Sequence, residues 1–169
     1  MRVEPRPGLG GELAHVSAYL DFYRATCIEK CRSLPEAELR VSRIASEWTP
    51  LELLHHLALM ERRWFVWGFL GEQVDEPWGD SRGDDEGRWH VSGERGLDEV
   101  VALMEGYAER TRAVLAAYEP EAVASADGRF AGDDPPELRW ICFHVLQEYA
   151  RHAGHLDIVV ELAGGPVGE

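Results

Sequence analysis

Basic charge is scarce in this sequence. It carries 17 Lys and Arg against 31 Asp and Glu, for a formal net charge of -14. A sequence-independent nucleic-acid binder needs a basic face to displace counterions, so that partner class is disfavoured. Docking on an anionic membrane surface is disfavoured for the same reason. Lysine is nearly absent: Lys30 is the only one, and the other basic residues are arginine. That bias fits a high-GC genome. Cysteine is sparse too, at three. With an odd count and no secretory signal in the polar stretch MRVEPRPGLGGE, a disulfide framework is not expected, and a cytoplasmic location is. The strongest apolar run, residues 64–70, is far too short to span a bilayer. Strand-like alternation, internal repeats, low-complexity tracts, phosphate-binding glycine motifs and nucleophile elbows are all missing.

What remains is helical periodicity over 169 residues, enough for one domain with a substantial core, spanning 1–169. A first helix is expected over about residues 9–33, with Leu13, Val16, Leu20, Tyr23, Cys27 and Cys31 at spacings of three and four. LPEAEL breaks it. The second has the clearest start, EWTPLELL: Thr49 can cap, Pro50 suits the first helical position, and Glu52 completes a capping box. It is expected to run to about Leu70. Residues 71–96 are acidic, rich in Gly and Asp, and include Trp78 and Trp89; so long a connection reads as functional or mobile. A third helix is expected over about 97–118. Asp134 and Pro135 signal the start of a fourth, which runs to about Leu162. The expected fold is all-α: a four-helix bundle. The long connection can recross the bundle, which would give up-down-down-up topology.

The fourth helix holds HVLQEYARHAGHLD, residues 144–157. At about 100° per residue, His144, Glu148, His152 and His155 share an arc of about 80°. Ile141, Val159 and Leu162 fall inside that arc. The ionisable groups therefore interrupt the core stripe. Burying an unpaired carboxylate costs several kcal/mol, so the cluster needs a partner, and a divalent cation is one. On the second helix the core stripe is Leu53, Leu57, Met60, Trp64 and Trp67. His56 lies on it, and His55 is expected to face outward or sideways. His56, Glu148 and His152 offer three ligands with one position open, the arrangement of catalytic zinc. The competing readings are a hydrogen-bonded core histidine for His144 and a helical ion pair for Glu148 and His152. Met60 and Trp64 read as core, or as the lining of a pocket above His56. Cys27 and Cys31 read as small core residues, and Asp84, Asp85 and Glu86 as a solvated loop.

WTPLELLHHLA followed by RWICFHVLQEYARHAGHLDIVVELAGG resembles the DinB-like superfamily, in particular its actinobacterial branch of mycothiol-dependent enzymes, of the mycothiol S-transferase and maleylpyruvate isomerase type. The resemblance covers most of the chain. It implies an up-down-down-up four-helix bundle and a divalent metal, often zinc or nickel. It also implies three ligands: His56, eight residues after Trp48, and the pair four apart that here is Glu148 and His152. Many relatives carry HRGQ where this chain has HAGH, so His155 replaces a Gln and becomes a second-shell residue or an alternative ligand.

Three functions are compatible with such a site. The first is a mycothiol-type thiol S-transferase acting on a small electrophile. The second is a metal-dependent hydrolase activating water. The third is a non-enzymatic metal-binding stress protein. The partners expected are a small-molecule thiol and an electrophilic substrate, with no nucleic acid and no membrane; a homodimer is compatible.

Overall fold

The computed structural model describes residues 3–83 and 87–167. The expected loop at Asp84, Asp85 and Glu86 falls outside them. Four long helices form the body: α1 (Glu12–Arg32), α2 (Pro50–Arg62), α3 (Leu97–Ala117) and α4 (Leu138–Leu162). Among the described residues strand pairing is limited to two isolated bridges. No described helix is long and apolar enough to cross a membrane.

Side-chain pairs along the helices set their directions. Glu12 meets Arg139 at 2.8 Å, and Lys30 meets Asp157, so α1 and α4 run parallel. His55 meets Arg95, just before α3, at 2.8 Å, and Arg62 meets Tyr107 at 3.4 Å, so α2 and α3 run parallel. Cys31 Sγ reaches the Pro50 carbonyl at 3.8 Å, while Arg24 pairs with Glu61, so α1 and α2 are antiparallel. The bundle is therefore up-down-down-up, with the α2–α3 connection recrossing its length. Leu20, Leu53, Leu57, Met104, Ile141 and Leu156 are fully buried along its axis, each stabilising the fold by about 1.5–3 kcal/mol.

The start of α2 follows the expected chemistry. Thr49 Oγ1 accepts from the Glu52 backbone N–H at 3.3 Å, and Glu52 Oε2 accepts from the Thr49 N–H at 3.0 Å. Its end does not follow a simple α pattern. Residues Arg63–Phe69 form a π-helical segment, in which the Leu70 N–H reaches back to the Phe65 carbonyl at 3.0 Å. The wider turn rotates the stripe, burying Arg63, Trp64, Phe65 and Val66 in succession while Trp67 is only half-buried. Such segments often mark functional sites.

The expected start of α4 at Pro135 is corrected to Leu138. Pro135 precedes another proline, which disfavours the α conformation. The chain there pairs instead with residues 120–124: the Ala124 N–H donates to the Pro136 carbonyl at 2.9 Å and the Leu138 N–H to the Ala122 carbonyl at 2.8 Å. Leu162, placed on the inner arc by periodicity, is 54% exposed because it closes the last turn beyond the bundle.

Beside the apolar core lies a buried polar knot that periodicity missed. Arg24 donates to Glu61 at 2.9 and 2.6 Å, and the Tyr149 hydroxyl donates to Glu61 Oε2 at 2.7 Å. All three side chains are buried. Cys27, Cys31 and Cys142 are free and buried. Burial pushes the Cys27 and Cys142 thiols up to about 12 and raises Cys31 as well, so none is a thiolate at neutral pH.

Candidate metal centre

His56, on α2, faces α4. Its Nδ1 lies 2.7 Å from Asp80 Oδ2. Asp80 comes from the α2–α3 connection and is 3% exposed. Burial alone would raise its pKa. The hydrogen bonds from His56 and Arg63 outweigh burial and hold it at about 2. Arg63 supplies two of those bonds, at 2.5 and 2.9 Å. An ionised carboxylate only accepts, so His56 Nδ1 carries the proton. Burial lowers the pKa of His56 more than Asp80 raises it, which keeps the ring neutral. Its lone pair therefore sits on Nε2, and Nε2 is buried with no hydrogen-bond partner.

Glu148 and His152 lie across from that nitrogen, one turn apart on α4. Glu148 Oε2 is 3.2 Å from His152 Nε2. That hydrogen bond, opposed by partial burial, lowers the Glu148 pKa. The His56 and His152 rings meet edge to face with centroids 5.2 Å apart. One ligand-capable atom from each of His56, Glu148 and His152 lies within 4.8 Å of the others. Two facing helices thus converge two imidazoles and a carboxylate on one point. A simple Glu148–His152 ion pair would leave His56 Nε2 buried and unsatisfied, a loss of about 1–3 kcal/mol. A divalent cation satisfies all three groups, so the donor set fits a metal.

His155 lies behind His152, with the two Nδ1 atoms 3.3 Å apart, and outside the converging trio. His144 packs against Trp64 at 4.1 Å and stacks on Trp140 at 5.5 Å. Its Nε2 is 3.9 Å from Glu148. Trp64 is buried beside His144, and Met60 is buried in the core.

His55 does not face outward; it is 2% exposed. The 71–96 connection folds back over this side of α2, bringing the His90 carbonyl and Arg95 each to 2.8 Å from the ring. The same connection lays Trp89 flat on His56, with ring centroids 4.2 Å apart and 17° between planes. Arg82 pins it to the head of α2 through Glu52 at 2.9 Å. Asp80, Arg63 and Trp89 are the site residues that sequence reasoning missed. The only hint of Asp80 and Trp89 was the unusual length of the connection and the tryptophans in it; Arg63 lies on the π-helical segment and gave none.

A family model described as mycothiol-S-transferase matches residues 15–165 of the chain. No curated protein matches it.

Proposed function

From the premise that the chain belongs to the mycothiol-S-transferase family, we propose that it is a divalent-metal-dependent thiol S-transferase whose ligands are His56, Glu148 and His152. Zinc is the first candidate metal, nickel the second, and mycothiol the thiol cofactor. The observation that carries the reading is the buried, unpartnered Nε2 of His56, opposite Glu148 and His152. A bound divalent cation supplies Lewis acidity that lowers the pKa of the cofactor thiol, giving a nucleophilic thiolate at neutral pH.

The protein's own groups prepare this chemistry. Asp80, fixed by Arg63, orients the His56 ring and holds its proton on Nδ1; a carboxylate behind a ligating histidine is the usual way to fix its tautomer. Trp89 covers the face of His56 and keeps water from it. His155 sits behind His152 and fixes that ring in turn. His56, Glu148 and His152 would hold the metal, and the half-exposed His144 and exposed Trp140 flank the approach for an electrophile. The buried cysteines of the chain are not nucleophiles, so the attacking sulfur comes from the cofactor.

The test is a conjugation assay with mycothiol and a chromogenic aryl halide, run on zinc-loaded and chelated wild type and on His56→Ala. Turnover only in the zinc-loaded wild type is expected. Ester or amide cleavage without thiol transfer would replace this reading with a hydrolase.

A further inference from the structure

One cation beside this site has no anion paired with it among the described residues. Arg129 stands on the short 3-10 turn Gly128–Phe130. Its guanidinium carbon lies 4.3 Å from the Trp64 ring centroid, 5.3 Å from Trp78 and 5.9 Å from Trp67. Among the described residues, no carboxylate is within ion-pair distance of it and no acceptor takes a hydrogen bond from it. What sets Arg129 apart is its place: it is half-buried and stacked among tryptophans, with its donors unspent. The neighbouring Arg63 shows the contrast. It lies 4.7 Å from the centroid of the same Trp78 ring, but its donors are taken by Asp80 and by the Pro77 carbonyl at 3.1 Å.

The position of Arg129 is built into the backbone. Gly128 has φ 61°, and a Cβ there would overlap the Trp67 carbonyl oxygen. At Gly68, on the π-helical segment, a Cβ would come within 3.3 Å of the Phe130 ring and 3.7 Å of the Arg129 stem. Two glycines thus let this turn seat closely on the π-helical segment and lay the arginine over the tryptophans. Half-buried and stacked, the guanidinium keeps its charge and presents its planar fork unspent. A chain of contacts links it to the metal centre: Arg129 on Trp64, Trp64 on His144 at 4.1 Å, and His144 to Glu148 at 3.9 Å. Trp78, 53% exposed, forms the open rim.

We propose that Arg129, framed by Trp64, Trp67 and Trp78, binds the carboxylate of the electrophilic substrate and selects flat, unsaturated or aromatic carboxylic acids over their neutral analogues. The half-buried Trp67 and exposed Trp78 take the apolar body, and the guanidinium, held on buried Trp64, takes the carboxylate in a bidentate pair. This inference rests on the transferase reading for the identity of the ligand as electrophile, but its binding arm can be measured without turnover.

The test is calorimetric titration of benzoate and benzamide at matched ionic strength into wild type, Arg129→Lys and Arg129→Met. Wild type is expected to bind benzoate at least about tenfold tighter than benzamide, as a charge-assisted pair provides. Arg129→Met should abolish that preference and Arg129→Lys should keep part of it. In the conjugation assay, the ratio of KM values for para-chloromethylbenzoate and its amide should collapse in Arg129→Met. Equal binding of benzoate and benzamide by wild type, or a preference that survives in Arg129→Met, would overturn the proposal. A benzoate preference in a protein without thiol transfer contradicts the transferase reading instead; transfer without any preference for the acid contradicts this one.

Discussion

Two clusters of ionisable side chains sit near each other on α2 and α4. Glu61 follows His56 by five positions, and Tyr149 adjoins Glu148. The first cluster, Arg24–Glu61–Tyr149, is closed: both carboxylate oxygens are taken, and the guanidinium and the hydroxyl both donate. The second, His56–Glu148–His152, is also largely buried but leaves one nitrogen without a partner. Both clusters put charge where apolar residues are expected. A satisfied network explains itself as structure. An unsatisfied one whose orphan atom faces two further ligand types is explained by something that binds there.

The comparison breaks most sharply in the closed cluster. Glu61→Ala leaves Arg24 buried without its counter-charge, and a loss of about 3–5 kcal/mol in urea unfolding is expected; a change below about 1 kcal/mol would mean the knot is not structural. Metal should act on the open cluster alone. Zinc at roughly 100 times its Kd should stabilise wild type by about 2.7 kcal/mol, and the same gain should vanish in Glu148→Ala. Thermal unfolding with and without chelator reads this directly.

Asp80 links the open cluster to the connection above it. Asp80→Asn keeps the shape but loses the charge that orients His56, so metal affinity should fall roughly 10- to 100-fold. Competition with a chromogenic chelator measures it, and an unchanged affinity would remove Asp80 from the account. Its acid titration gives a smaller signal. The folded pKa of Asp80 lies at about 2, below its ordinary 3.8. The resulting stability is full above the unfolded value and is lost as pH falls from 3.8 toward 2. In metal-free protein this amounts to about 2 kcal/mol. Asp80→Asn should flatten that part of the acid-unfolding curve.

Much of this was legible in the sequence wherever local chemistry decides the outcome. Thr49, Pro50 and Glu52 announce the start of α2 because capping is a matter of four adjacent residues. Glu148 and His152 announce a shared face because a helix turn brings positions four apart together. His56 was separable from His55 because only one of them lies on the apolar stripe. The losses came where tertiary packing decides. Asp80 and Trp89 sit in a connection without periodicity, so nothing local says that they fold back onto His56. The same folding back buries His55. The π-helical turn at Arg63–Phe69 changes the phase of the stripe, and the turn carrying Gly128, distant in sequence, packs against it. Arg24 and Glu61 read as ordinary helix charges until the bundle places them opposite each other.

The central claim is that His56 Nε2 is the open end of a three-residue metal site. Isothermal titration of zinc into chelated wild type and His56→Ala tests it most directly, with circular dichroism to establish that both are folded. The account predicts one tight site per chain in wild type and none in a folded His56→Ala. Equal binding by the two proteins, or no zinc binding by folded wild type, would contradict it.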